Sequence, residues 1–301
     1  MTTDGNLLRA TALAAGLFCA VTPGLLRAQA PQPQATPPAP AAAPGQPATD
    51  AEAALQKKYG DKLSLDAYRA YRAVVDTLSP TEQKWERVLE DQLGTYYFPL
   101  HLQSRLKPGF KPETSAWGFV TDDPALPRVL LIGDSISHMY TVAVRQGLAD
   151  KANVHRAPAN CGPTDSGLKN LDLWLDQGSG KWDLIYFNFG IHDRKKTPEQ
   201  YAANLEKIVA RLQATGAKLV WARTTPFGEK VLEGGDESAP LNRVADEVMG
   251  KHALPSDDLH AVVAAKIATA QSNDHTHFNA EGVRLLAEQV VKTLQPLLRR
   301  P

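Results

Sequence analysis

Short apolar runs alternate with amphipathic stretches along the second half of the chain. The runs predict buried strands over residues 129–132, 153–157, 184–189 and 218–222. Each run precedes a stretch with apolar residues three and four positions apart, the spacing of a helix with one buried face. One such helix is marked by Tyr201, Leu205, Ile208, Val209 and Leu212. This alternation predicts an α/β protein with three layers, α/β/α, around a mostly parallel, flavodoxin-like sheet.

The pattern changes before residue 128, where helical spacing replaces the strand runs. The stretch 79–82 (Ser-Pro-Thr-Glu) has the N-cap, first-turn proline and glutamate of a capping box, and the helix that follows is predicted to bury Trp85, Val88 and Leu89. Aromatic residues among prolines and glycines fill 94–127 without a clear period. We therefore divide the chain into a helical N-terminal extension or cap at 50–127 and an α/β domain at 128–301. The sequence leaves open whether the extension covers a site or only packs.

The first 49 residues have a different composition from the rest. Arg9 precedes an apolar stretch over 11–26, and Ala28-Gln29-Ala30 matches a peptidase cleavage site, so residues 1–30 are predicted to be a signal peptide cleaved after Ala30. The alternative is a buried helix, but a Pro-Gly pair interrupts the run. Residues 31–49 are almost entirely Pro, Ala and Gln, which predicts a disordered linker. A secreted or periplasmic location follows, with no transmembrane segment in the mature chain.

The charge balance and the cysteine content limit which binding partners and which covalent links we expect. Lys plus Arg and Asp plus Glu both total 33, and because no basic block is present, nucleic acid is not an expected partner. Cleavage would remove Cys19, whose preceding Phe18 argues against a lipoprotein anchor. Cys161 would then be the only cysteine of the mature chain, so it is expected to be a buried packing residue without a disulfide partner.

The clearest chemical signal is Gly133-Asp134-Ser135, which follows the first predicted strand and opens a helix. A serine hydroxyl needs a base and a group to orient that base before it can attack an ester. Asp274 and His277, three residues apart and just before the last helix, supply both. His275 is a rival base. The helix N-terminus at Ser135 favours developing negative charge.

These motifs resemble, in type and order, those of the SGNH (GDSL-like) hydrolases, over residues 128 to 298. The resemblance implies a nucleophilic Ser135 with Asp274 and His277 completing the triad. It also implies an oxyanion hole made by Ser135, Gly162 and His192, with Asp134 and Asp193 in supporting roles. His192 stands where the family usually has asparagine, as in an exported bacterial subgroup that this chain resembles, and Asp193 is expected to fix its tautomer.

Other interpretations of the same residues stay open at this point. Gly-Asp-Ser is common in plain turns, and Asp274 is also a possible cap or turn residue. The histidines 192, 275 and 277 with Asp193 and Asp274 are an alternative metal site, although we expect no metal and no other cofactor. Asp257 and Asp258 mark a strand end or a helix cap. The tryptophans that are candidates for sugar stacking, although more often core residues, are Trp117, Trp174, Trp182 and Trp221.

The function predicted from these residues is ester hydrolysis through an acyl-serine intermediate. Export and the family resemblance favour removal of acetyl groups from an O-acetylated carbohydrate, so the expected partner is a small-molecule or polysaccharide ester. The alternatives are an O-acyltransferase, a lipase or a thioesterase with the same triad. A non-catalytic carbohydrate-binding protein on this fold is the alternative from another class.

Overall fold

The computed structural model describes residues 50–177 and 180–298. The predicted signal peptide and linker therefore lie outside the described residues. Within the described part of the chain, no helix is both long enough and apolar enough to cross a membrane.

A parallel sheet with strand order β2-β1-β3-β4-β5 forms the centre of the α/β domain. Its strands are β1 (Arg128–Ile132), β2 (Asn153–Arg156), β3 (Leu184–Phe187), β4 (Lys218–Ala222) and β5 (Ser256–Asp257). In register, Leu131 of β1 faces Arg156 of β2 and Tyr186 of β3. The order reverses between β1 and β3, and in such sheets ligands bind beyond the carboxyl ends of the strands at this switch point.

Helices cover both faces of the sheet, which confirms the predicted three-layer α/β/α fold. They are α5 (Ser135–Gly147), α6 (Thr164–Leu175), α7 (Pro198–Gln213), α8 (Ser238–Lys251), α9 (Leu259–Ala264), α10 (Ile267–Ala270) and α11 (Ala280–Leu294). Side chains alternate across β1: Leu130 and Ile132 pack with α6, α7 and α8, whereas Val129 and Leu131 pack with α5, α9 and α11. This alternation follows from the two-residue period of a strand.

The extension before β1 folds as α1 (Asp50–Tyr59), α2 (Leu65–Val75), α3 (Pro80–Gln92) and α4 (Gly94–Arg105). The capping box predicted at the start of α3 is present. On α3, Leu89 is buried, whereas Trp85 and Val88 are half-buried. The extension has its own apolar core, centred on Tyr71, Leu89, Phe98 and Leu102.

Two elements differ from the sequence-based expectation. The stretch 94–127 showed no clear period, yet 94–105 is the helix α4, with Pro99 inside it. Proline disfavours a helix interior, but here Phe98, Pro99 and Leu102 are buried, and this packing holds the helix in place. Strand β5 was marked only by Asp257 as a candidate strand end, because two residues are too short to show a period.

Contacts between the extension and the α/β domain run through polar and aromatic side chains. The Arg145 guanidinium on α5 donates to the carbonyls of Ser115 and Ala116 at 2.5 and 3.1 Å. The Trp174 indole on α6 donates to the Gln92 side chain at 3.2 Å. The described parts of the extension and the domain therefore pack directly against each other.

Candidate active site

A tight turn after β1 presents Ser135 at the first position of α5. Asp134 is the N-cap of this helix, and its carboxylate accepts a hydrogen bond from the Ile136 backbone N–H at 2.9 Å. Gly133 has little space, because a Cβ added there would lie 2.8 Å from the Ser137 Oγ. The first N–H groups of a helix have no acceptor within it, and that of Ser135 is one of them.

Arg156, the last residue of β2, stabilises this turn through hydrogen bonds. Its guanidinium is fully buried and donates to the backbone carbonyls of Gly133 and Asp134 at 2.9 and 2.8 Å and to the Ser137 Oγ at 2.9 Å. It also donates to the carbonyls of Ala157 and Ala159. A planar guanidinium with donors in fixed directions can satisfy several carbonyls at once.

Ser135 and His277 meet although 142 residues separate them in the chain. The Ser135 Oγ lies 2.8 Å from the His277 Nε2, and the His277 Nδ1 lies 2.6 Å from the Asp274 carboxylate. The serine, the histidine and the aspartate are thus joined by successive hydrogen bonds, the geometry of a catalytic triad. The His277 and Asp274 side chains are 37% and 52% exposed, so the site is open to solvent.

The loop before α11 fixes the positions of Asp274 and His277. Asp274 accepts hydrogen bonds from the backbone N–H groups of Thr276 and His277 at 3.1 and 2.8 Å, which close a tight turn. His275 turns the chain with a positive φ of 54°. The imidazole that contacts Ser135 is therefore that of His277, and His275, the rival base, serves in the turn.

Hydrogen bonds keep the Asp274 carboxylate charged. Burial alone would raise the pKa of Asp274, but the hydrogen bonds donated by His277 and Thr276 outweigh it and hold this pKa below its usual value. An ionised carboxylate at this position accepts a hydrogen bond from the Nδ1–H of His277, and in that tautomer Nε2 accepts the hydrogen bond of the Ser135 hydroxyl.

The loop after β2 brings Gly162 beside the Ser135 turn. The Cys161 N–H donates to the Gly133 carbonyl at 3.2 Å. Gly162 follows with a φ of 64°, a conformation that favours glycine. Thr164 then opens α6, and both its N–H and its hydroxyl donate to the buried Asp193 carboxylate, at 2.8 and 2.6 Å.

This contact changes the role expected for Asp193. Its carboxylate binds Thr164, and the carboxylate near the His192 ring is that of Asp134, 3.9 Å from Nε2. Asp193 therefore ties the 3-10 turn Ile191–Asp193 after β3 to the Gly162 loop. Burial raises the pKa of Asp193, and the Thr164 hydrogen bonds only partly oppose it.

His192 is exposed and lies in the turn after β3, so it is at the same carboxyl-end edge of the parallel sheet as Ser135, which follows β1. Gly190 lets this turn approach β4, since a Cβ there would lie 1.9 Å from the Thr224 Oγ1. The Asn188 side-chain amide donates to the Ala222 carbonyl and to Thr224. The turn that carries His192 is therefore anchored at the carboxyl ends of β3 and β4.

The extension contributes a side chain to the site that sequence reasoning missed. The Tyr97 phenol on α4 interacts with the Ser135 side chain; burial raises the pKa of Tyr97, while Arg156 and the hydrogen bond with Ser135 oppose that rise. The Tyr97 ring packs on Trp117 and His138 at centroid distances of 5.0 and 5.8 Å. Beside it, Tyr96 is 65% exposed and meets Tyr97 edge to face at 4.9 Å.

The remaining candidate residues are not part of the Ser135, His277 and Asp274 arrangement. Cys161 is buried, as expected, and burial raises its pKa to about 12. The four tryptophans considered for sugar stacking are all buried. Asp257 lies in β5 and accepts from Tyr186, while Asp258 caps α9.

A metal site was the alternative use of the histidines and carboxylates. Within residues 50–177 and 180–298, no group of three or more histidine, cysteine, aspartate or glutamate side chains is placed to hold a metal ion. The carboxylates of Asp274 and Asp193 are instead occupied by His277 and Thr164.

Comparisons with known proteins point to one family. A search of the curated proteins found no match to this chain. Among solved structures, a candidate GDSL-like lipase from Parabacteroides merdae is 14% identical and superposes with a TM-score of 0.50, over 57% of this chain and 96% of its own, which shows the shared fold.

Two further solved structures superpose on a similar share of this chain. The lipase/acylhydrolase from Enterococcus faecalis is 23% identical, with a TM-score of 0.49 over 58% of this chain and 98% of its own. The acetylxylan esterase Axe2 from Geobacillus stearothermophilus is 14% identical, with a TM-score of 0.48 over 58% of this chain and 97% of its own.

The model of the GDSL-like lipase/acylhydrolase family matches residues 131–285, about half of the chain. This span runs from β1 into α11 and includes Ser135, Gly162, His192, Asp274 and His277. The chain belongs to the GDSL-like lipase/acylhydrolase (SGNH hydrolase) family, and it is a hydrolase that acts on ester bonds.

Proposed function

We propose that Ser135, His277 and Asp274 hydrolyse an acetyl ester of a carbohydrate through an acyl-serine intermediate. The observation that carries the proposal is His277, which bridges Ser135 at 2.8 Å and Asp274 at 2.6 Å. The open position of this triad suits an ester on a long substrate chain better than one that must be fully enclosed.

The proposed reaction has two steps. The Ser135 Oγ bonds to the acyl carbon while His277 Nε2 takes its proton, and the ester bond then breaks as His277 passes that proton to the departing alcohol. Water next attacks the acyl-serine, His277 takes a proton from the water, and acetate leaves as the proton returns to Ser135. The substrate oxyanion is proposed to accept from the N–H groups of Ser135 and Gly162 and from His192.

The carbohydrate half of the proposal rests on an aromatic pair beside Ser135, the half-buried Tyr97 and the exposed Tyr96. Tyr97 contacts Ser135, and Tyr96, with 65% of its surface exposed, extends the aromatic surface outward from it. Aromatic faces pack well against the apolar faces of sugar rings. The extension, residues 50–127, would then be a cap that supplies one wall of the substrate cleft.

Export is part of the same proposal. The signal peptide predicted at 1–30 and the linker at 31–49 would place the enzyme in the periplasm or outside the cell, where O-acetylated polysaccharides occur. N-terminal sequencing of the exported protein is expected to begin at Pro31. An intact Met1 would argue against cleavage.

Acetate release tests the enzymatic proposal. Wild-type protein is expected to release acetate from O-acetylated polysaccharides and from a chromogenic acetate ester, and Ser135→Ala is expected to lose at least about 10³-fold in kcat on both. Tyr96→Ala should lower kcat/KM on the polysaccharide about 3- to 10-fold, the size of one aromatic contact, and leave the chromogenic ester unchanged. Tyr96→Phe, which keeps the ring, is the matched control.

The same assay separates the rival activities. Release from the chromogenic ester but not from any polysaccharide would overturn the carbohydrate proposal and favour a lipase or thioesterase. Acetyl transfer to an added sugar without net acetate release would favour the O-acyltransferase. Binding of polysaccharide with no turnover of any ester would favour the non-catalytic alternative.

A further inference from the structure

A second cavity lies between the extension and the α/β domain, apart from the triad. Its volume is about 460 Å³, in the range of pockets that hold small organic molecules. Helix α3, the segment 118–122 and strand β2 contribute to its walls. None of Ser135, His277 and Asp274 is among the described residues that line it.

The walls of the cavity combine apolar and cationic groups. Trp85, Val88 and Phe119 are half-buried and give it an apolar side. Arg145 and Arg156 line it as well. An apolar wall with guanidinium groups is suited to a ring-shaped ligand that carries a negative charge.

The carboxylates in the cavity wall already have partners. Asp122 binds the side chains of Arg128 and His155 at 2.8 and 2.6 Å. Asp176 pairs with Lys84 at 3.8 Å, and Glu82 belongs to the capping box of α3. These carboxylates are therefore not available to the two remaining guanidiniums.

Arg145 and Arg156 hold positive charge without an ion pair among the described residues. Both donate to backbone carbonyls, and the Nε of Arg156, a residue only 1% exposed, has no hydrogen-bond partner there. Burial and then the positive charge of Arg156 lower the pKa of Arg145 to about 10, so the two charges oppose each other. An anion bound nearby would relieve this opposition.

We propose that this cavity is a binding site for a sugar-sized organic anion, a ring that carries one carboxylate or one phosphate. The ring packs on Trp85 and Val88, and the anionic group lies toward Arg145 and Arg156. This site is separate from the ester-hydrolysing site and does not depend on the activity of Ser135.

Binding is measured by calorimetry on the full chain, with glucuronate and glucose 6-phosphate as probes and with glucose and inorganic phosphate as controls. One equivalent of at least one charged sugar is expected to bind, at least about tenfold more tightly than either control. The two charged sugars distinguish a carboxylate from a phosphate. If neither binds at 20 mM, or if glucose binds as tightly, the proposal is overturned.

Two variants locate the binding. Val88→Trp fills the cavity, and Arg145→Gln removes one charge; each is expected to weaken binding at least tenfold. Turnover of the chromogenic acetate ester, which should stay near wild type, shows that each variant is folded. The signal of the Trp85 indole N–H, which donates to the Trp117 carbonyl at 2.8 Å, should shift on titration in ¹H–¹⁵N spectra. Binding that survives both variants, or that leaves the Trp85 signal unmoved, would place the anion elsewhere.

Discussion

His138 gives a pH-dependent test of how the extension packs on the α/β domain. It lies on α5, one turn after Ser135, and its ring meets Trp117 at 4.1 Å and Tyr97 at 5.8 Å between centroids. Burial, and then the charge of Arg156, lower the pKa of His138 to about 3. In the unfolded chain a histidine has a pKa of about 6.5. Between these two values only the unfolded chain carries the proton.

The sign and size of the effect follow from this difference. Since the unfolded state binds the extra proton, protonation destabilises the fold as the pH falls below about 6.5, and the loss grows until about pH 3. At pH 4.5, two pH units below 6.5 at about 1.36 kcal/mol each give about 2.7 kcal/mol. At pH 7 the contribution is close to zero.

The perturbation is His138→Phe, with His138→Gln as a second variant of different shape. The free energy of unfolding is measured by urea denaturation at pH 7.0 and pH 4.5. Relative to wild type, both variants are expected to gain about 2.7 kcal/mol on going to pH 4.5, whatever their difference at pH 7.0. The other titrating groups are common to all three proteins and cancel in this comparison.

The reasoning fails if both variants keep the pH dependence of the wild-type protein. His138 would then take up its proton in the folded state near its ordinary pKa, and the packing of Trp117 and Tyr97 over α5 would not hold in solution. A gain in only one variant would mean that shape, and not the lost titration, causes the effect.

Two further substitutions test the anchoring of the turn after β3. Gly190→Ala places a Cβ 1.9 Å from the Thr224 Oγ1 and is expected to lower the free energy of unfolding by about 1–3 kcal/mol in urea denaturation. Gly250→Ala, which has open space around the added Cβ, is the control and should not destabilise the protein. Equal effects of the two substitutions would contradict the close approach of Gly190 to Thr224. Asp193→Ala leaves the Thr164 N–H without its acceptor and should cost about 1–3 kcal/mol in thermal unfolding. Asp172→Ala, which removes an exposed ion pair with Arg211, is its control and should change stability by less than about 1 kcal/mol.

The sheet and the candidate catalytic residues were predictable because their signals are local. Apolar runs marked β1, β2 and β4 to within one residue and β3 to within two, since buried strands of a parallel sheet have near-continuous apolar runs. Ser135 follows such a run directly. Asp274 and His277 lie in one short turn, so the segment that could serve a serine was visible without knowledge of its partner.

The contacts of Tyr97 and Asp193 around the candidate site could not be predicted from local patterns. Tyr97 reaches Ser135 because α4 packs against α5, and this contact joins residues 38 positions apart in a stretch without periodicity. Asp193 was assigned to its sequence neighbour His192, whereas its hydrogen-bond partner, Thr164, stands 29 residues earlier. In both cases the partner is set by tertiary packing between segments far apart in the chain, which no local pattern encodes.

Arg156 contacts both the Ser135 turn and the extension. Its position at the end of β2 reads as an ordinary strand terminus, yet the backbone leaves the sheet here. The Arg156 guanidinium donates to the carbonyls of Gly133, Asp134 and Ala159. For Gly133 and Asp134 these hydrogen bonds add to those from the Cys161 and His138 N–H groups. A methionine would fill a similar volume but would remove all of these side-chain hydrogen bonds, and a lysine offers a single nitrogen in place of the guanidinium fork. The guanidinium also lies 5.4 Å from the Trp117 ring of the extension. One buried cation therefore holds the turn that carries Ser135 and contacts Trp117 of the extension, so the candidate catalytic serine and the aromatic residues beside it share a common support.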